Sequence, residues 1–92
     1  MSKIIDVTFQ MPNDQRISQK VDTSITVDRM ITNFFEHMKM IHEIEDYSLM
    51  VNSTPINKEK TRKKLVKHCH AIVPNCLIKV KKTRNVKGAS KI

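Results

Sequence analysis

Leu49-Met50-Val51-Asn52-Ser53-Thr54-Pro55-Ile56, answered further along by Leu77-Ile78-Lys79-Val80, is the part of this chain that decides its architecture. The first segment reads as a short apolar strand from Tyr47 to Val51, carried by a polar turn over Ser53-Thr54-Pro55 into Ile56. In the second, Ile78 and Val80 alternate with Lys79 and Lys81, so that strand has one core face and one basic, solvent face. Residues 57–64 between them are nearly all polar and predict an exposed loop or helical turn. Leu65, Val66 and Ile72 supply apolar anchors for the long connection, and Pro74-Asn75 turns it into the last strand.

Working back toward the N-terminus, residues 3–11 place Ile5, Val7, Phe9 and Met11 on one face and Asp6, Thr8 and Gln10 on the other. That period of two, rich in β-branched residues, is a half-buried strand. Pro12-Asn13-Asp14 is turn chemistry, and a second strand follows with Ile17 and Val21 inward and Ser18 and Lys20 outward. Thr26 then caps a helix, with Asp28 in the first turn, where the helix dipole favours an anion. Ile25 and Met30 flank the cap as a hydrophobic staple. Val27, Met30, Ile31, Phe34, Phe35, Met38 and Ile41 recur at helical spacing, which predicts a helix from about Thr26 to about His42. The acidic run Glu43-Ile44-Glu45-Asp46 marks its end. The sum is an α+β domain: a β-hairpin, one amphipathic helix and two or more further strands in a mixed sheet over residues 1–82. A flexible basic tail is expected over residues 83–92.

Ninety-two residues bury one modest core. No apolar run approaches the roughly 20 residues that span a bilayer, and the N-terminus lacks the pattern of a secretory signal. Two cysteines, Cys69 and Cys76, make no disulfide framework. A cytoplasmic, reducing location is the expectation. The net charge of +8 is unevenly placed. Residues 1–57 carry five basic and eight acidic side chains, whereas residues 58–92 carry twelve basic ones against Glu59 alone. A surface so polarised attracts nucleic acid, anionic lipid or an acidic protein partner.

Chemistry-bearing motifs are sparse. His68-Cys69-His70, with Cys76 beyond, invites a zinc site, but in an extended segment the two histidines face one side and Cys69 the other. Cys69 is expected in the core instead, and His37 and His42 as ordinary surface or boundary residues. Neighbouring Cys and His point apart, no Ser/His/Asp set is marked, and a single glycine, Gly88, rules out a phosphate-cradling loop. No metal, cofactor, small-molecule substrate or catalytic activity is expected. Met30 and Met38 belong to the core stripe, while Met40 lies off it. Lys58, Lys60, Arg62, Lys63, Lys64 and Lys67, with Lys79, Lys81, Lys82, Arg84 and Lys87, are expected to form one continuous basic surface. With one Tyr, three Phe and no Trp, base stacking is poorly served. Phosphate-backbone contact, docking on an anionic membrane surface, or an acidic protein partner are the uses open to such cations.

The order strand, turn, strand, capped helix, strand, turn, irregular crossover, strand over residues 3–82 resembles the ubiquitin-like β-grasp superfamily. The helix start (Val21, Thr26-Val27, Met30, Phe34) and Leu49-Met50-Val51 with its polar turn look like the corresponding ubiquitin elements. Within the superfamily, Ile5-Asp6-Val7-Thr8-Phe9 and the ending Leu65…Cys69…Ile72…Asn75…Leu77-Ile78-Lys79-Val80 resemble the bacterial YukD/EsaB-like proteins of type VII secretion. The resemblance implies a non-catalytic adaptor acting by protein–protein interaction, with Met50, Lys79, Lys81 and the 60–67 cluster in contact with the partner, a secretion-system component. A nucleic-acid-associated β-grasp protein using the same cations is the alternative. Two departures from ubiquitin matter. The tail Lys87-Gly88-Ala89-Ser90-Lys91-Ile92 has no glycine pair for conjugation, and Lys81 stands where the ubiquitin recognition patch would have an apolar residue.

Overall fold

The computed structural model describes residues 3–83. Strand β1 (Ile4–Gln10) alternates as its sequence demands: Ile5, Val7 and Phe9 are buried, while Ile4 and Asp6 face solvent. A tight turn reverses the chain. Asp14 takes φ 71, its N–H donates to the Met11 carbonyl at 2.8 Å, and Gln15 N–H donates to Asn13 Oδ1 at 3.0 Å. Strand β2 (Arg16–Asp22) then pairs antiparallel with β1 along its whole length. Val21 is buried and Ile17 half-buried, so the inward face is the expected one.

Helix α1 (Val27–His37) starts at the expected cap, with Arg29 N–H donating to Thr26 Oγ1 at 3.1 Å. Val27, Met30, Ile31, Phe34 and Phe35 form its buried face. Its end corrects the expectation of a helix to about His42. Lys39 adopts φ 60, its N–H bonds the Glu36 carbonyl, and Met40 N–H bonds the Phe35 carbonyl at 2.8 Å. This pair of bonds is a Schellman closure, which satisfies the last carbonyls of the helix through a left-handed residue. Glycine normally fills that position; a lysine there hid the stop. A 3₁₀ turn over Ile41–Asp46 then leads into β3 (Tyr47–Val51). Ile41 and Met40 are half-buried against the core there, beyond the helix proper.

Asn52 and Ser53, both at positive φ, make the two-residue hairpin from β3 into β4 (Thr54–Pro55). Ile56 follows, fully buried. Asn57 ties the start of the connection to β3: its Nδ2 donates to the Tyr47 carbonyl at 3.1 Å, and Leu49 N–H donates to its Oδ1 at 3.3 Å. Residues 57–64 include the short helix α2 (Glu59–Arg62), a second 3₁₀ turn spans Val66–His68, and β5 (Cys76–Lys82) is longer at both ends than the sequence suggested. Val66 and Ile72 are buried as anchors, while Leu65 is half-buried.

The sheet order is β2-β1-β5-β3-β4. β5 lies in the middle, parallel to β1 and antiparallel to β3. Helix α1 covers one face through Phe34, whose ring stacks on Phe9 with centroids 3.9 Å apart. The other face carries the alternate residues of every strand. Of the expected tail at 83–92, all but Thr83 lies outside the described residues.

The helix stop generates a test. A lysine in the left-handed region costs on the order of 1 kcal/mol relative to glycine, which adopts it freely. Lys39→Gly should therefore raise the melting temperature by several degrees in calorimetry, about 4–8 °C per kcal/mol for a domain of this size. An unchanged or lower melting temperature would refute the strain assigned to this turn.

Candidate functional site

Strand registers assemble the exposed face of the sheet residue by residue. Arg16 pairs with Gln10, Gln10 with Lys79, Lys79 with Met50, and Met50 with Pro55. These five side chains form one row across all five strands, roughly 19 Å long at a strand spacing near 4.8 Å. In the adjoining rows Lys81 stands beside Ser48, and Ser18, Thr8 and Leu77 lie side by side. Lys79 and Lys81 are exposed; Met50 opposite Lys79, and Leu77 two residues before it on β5, are half-buried. The result is a small apolar strip set among cations.

Acids on this face are already engaged. Asp6 holds Lys20 Nζ at 2.9 Å, and Asp14 Oδ1 accepts from Gln10 Nε2 at 3.0 Å. A shallow depression lined by Gln10, Met11, Pro12, Asp14 and Lys79 to Lys82 borders the row where the β1–β2 turn passes the end of β5. Lys82 itself belongs to the other side. It pairs with Tyr47, and its Nζ lies 5.9 Å from the centre of that buried ring.

The connector cations are placed elsewhere, for a reason visible in the backbone. Val27 N–H donates to the Lys64 carbonyl at 2.8 Å, Val66 N–H to Ile25 at 2.8 Å, and Lys67 N–H to Thr23 at 3.0 Å. The chain is thereby laced to the start of α1, where the first helical amides need acceptors. Arg62 completes the attachment, its Nε and Nη2 both donating to Asp28 Oδ1 at 2.9 and 2.7 Å. Lys63 pairs with Glu59 at 3.4 Å, with both side chains largely in solvent. Lys58, Lys60, Lys64 and Lys67 are exposed without crowding onto the sheet. Backbone bonds thus attach the connector beside the start of α1, while Lys79 and Lys81 project from the open face of the sheet. Arg84 and Lys87 lie outside the described residues.

Cys69 is buried while His68 and His70 are exposed, so the three do not face a common point. Burial pushes the Cys76 thiol above its ordinary range; hydrogen bonding with the backbone at Val73 and at Cys76 itself opposes this, and the neighbouring Cys69 adds to it. A thiol so held is protonated and a poor nucleophile at neutral pH. Two residues of the open face, Leu77 and Arg16, escaped the sequence reading. For Leu77 the signal was present: with Ile78 and Val80 inward, alternation sends Leu77 out beside Lys79 and Lys81.

No protein-family model matches the chain, and no curated protein does either. Solved structures do. A designed protein based on ubiquitin superposes with a TM-score of 0.69 at 10% identity, covering 92% of this chain and 95% of that one. The ubiquitin-like domain of an Arabidopsis thaliana protein gives 0.70 at 17% identity, covering 90% and 81%. The N-terminal ubiquitin-like domain of the 4931431F19Rik protein gives 0.69 at 15%, covering 96% and 82%. The fold is ubiquitin-like. At these identities the likeness is one of fold, and it leaves the YukD/EsaB-like resemblance resting on the residues quoted for it. Among the described residues no helix is long and apolar enough to cross a membrane.

The Asp28–Arg62 pair is half-exposed, at 48% and 38% for the two side chains, so its coupling should be modest. A double-mutant cycle of Asp28→Asn and Arg62→Ala should give an interaction of about 0.5–1 kcal/mol that shrinks at high salt. Hydrogen exchange at Val27 N–H should speed up in either single mutant. Unchanged exchange there would show that the backbone bonds alone hold the connector.

Proposed function

We propose that this chain is a non-catalytic ubiquitin-like adaptor that docks an acidic protein surface on the open face of its sheet. The observation that carries this is the row Arg16–Gln10–Lys79–Met50–Pro55 with Lys81 and Leu77 beside it. Apolar side chains beside exposed cations make a recognition patch whose complement is an apolar residue flanked by carboxylates. Ubiquitin-like domains commonly act through protein–protein contact, which suits a surface of this kind. The resemblance to the YukD/EsaB-like proteins supplies the finer proposal: the partner is a cytoplasmic component of a type VII secretion machine, and the chain works in the cytoplasm.

The nucleic-acid reading has less to support it. Phe9, Phe34, Phe35 and Tyr47 are all buried, leaving no aromatic on which a base could stack.

Photo-crosslinking from Met50 in cells, with mass spectrometry of the adduct, identifies the partner; the purified partner then allows the affinity to be measured. Lys79→Glu combined with Lys81→Glu should weaken that binding by roughly tenfold, about 1.4 kcal/mol, mostly through slower association. Lys60→Glu with Lys63→Glu should leave it within about twofold. The reverse ranking would move the interface to the helix side and overturn the proposal. Retention of duplex DNA by the wild-type chain, lost steeply as salt rises, would favour the alternative.

A further inference from the structure

The two ends of the sheet differ in how they are closed. β4 is two residues long and contains Pro55, a strand too short and too poor in donors to template another. β2 is the other edge, seven residues in unbroken register with β1 and free of proline or bulge. Its one lysine, Lys20, is drawn onto Asp6 of the neighbouring strand rather than guarding the edge.

The bonds at either end of the β1–β2 ladder show which of its backbone groups face outward. Thr23 N–H donates to Lys3, and Met11 N–H to Gln15, both at 2.8 Å. In an antiparallel ladder the bonded pairs alternate, so odd-numbered residues of β2 spend their N–H and C=O groups on β1. Those of Arg16, Ser18 and Lys20 therefore point toward the open edge, as does the Asp22 N–H, while the Asp22 carbonyl also accepts from Ile25 N–H at 3.3 Å.

The geometry points to a second copy of this chain as the occupant of that edge: two β2 strands pair antiparallel about a two-fold axis at Gln19, fusing the sheets into one of ten strands, five from each copy. The strand is self-complementary in this register. Arg16 faces the partner's Asp22 at both ends of the ladder, Ser18 faces Lys20, and Ile17 faces Val21 on the helix side. All four edge-facing residues meet edge-facing residues, as hydrogen bonding requires. Sliding by two residues keeps that parity but sets Arg16 against Lys20 in one direction and Lys20 against Lys20 in the other, and like charges directly opposite destabilise a sheet. Asp22 accepts from Ser24 N–H and Oγ through Oδ1. That turn holds its carboxylate in place as the strand ends. A strand-pair contact is small, so the dimer forms reversibly with concentration. It uses neither Met50 nor Lys79 nor Lys81, and shares only Arg16, at the end of the row, with the proposed docking face.

Sedimentation velocity of the full chain across a dilution series tests this. The wild-type protein should pass from monomer to dimer as concentration rises, with slowed amide exchange at Ser18 and Lys20. Ser18→Pro removes an outward N–H and, within the protomer, only the exposed 3.4 Å contact to Thr8 Oγ1. It should remain monomeric at every concentration with unchanged circular dichroism. Arg16→Asp gives a second route that does not depend on proline being tolerated. It turns two attractive pairs into two repulsive ones and should weaken the dimer by roughly tenfold or more. Adding Asp22→Arg should restore self-association while preventing mixing with the wild type. A wild-type chain that stays monomeric throughout, or a dimer that survives both Ser18→Pro and Arg16→Asp, overturns the inference.

Discussion

The stacking of Phe34 on Phe9 seats the helix on the sheet, and most other features follow from where that contact falls. Phe9 lies on β1, which is bonded to β2 on one side and to β5 on the other. With the rings 3.9 Å apart and within 9° of parallel, the helix axis cannot slide without breaking that stack. Phe35 extends the cluster edge-on from Phe34 and reaches Tyr47 on β3. Four aromatic side chains thus bind hairpin, helix and third strand into one core, and none is left for the surface. The same contact commits one face of β1, β3 and β5 to burial, so recognition is confined to the open face, the two edges and the connector.

The connector shows how backbone bonding places what composition only counts. Twelve of the seventeen basic residues fall after position 57. The first amides of α1 need acceptors, and the Lys64 carbonyl supplies one to Val27, which ties the connector to the start of the helix. β5 then returns through the middle of the sheet, and its alternation turns Lys79 and Lys81 to the open face.

Much of the fold was legible because local signals and burial agree. Alternation in residues 3–11, the Thr26 cap and the spacing of Val27 to Phe35 each predict an element that forms. The helix end was not legible, because Lys39 closes it in a conformation that side-chain type does not announce. Asn52 and Asn75 do advertise positive φ. At the site, Lys79, Lys81 and Met50 could be placed outward from alternation alone. Their assembly with Arg16 into one row could not, since it depends on three separate registers. The parity of the β2 edge was equally hidden: which N–H groups face outward depends on bonds to Lys3 and Gln15, not on any side chain.

The open face also constrains what a partner would gain from it. Met50 and Leu77 are half-buried by their own neighbours, and the lysine stems beside them cover apolar surface while their ammonium groups stay in water. Little apolar area remains to be removed from solvent, so burial at about 25 cal/mol per Å² supplies only part of an affinity. Charge must supply the rest, and charge at a wet rim acts chiefly on the rate of encounter. Its reach is about 8 Å at physiological salt, shorter than the row that carries Arg16 and Lys79. Recognition on this face would be fast, reversible and sensitive to salt, properties that belong to a transient adaptor rather than to a permanent subunit.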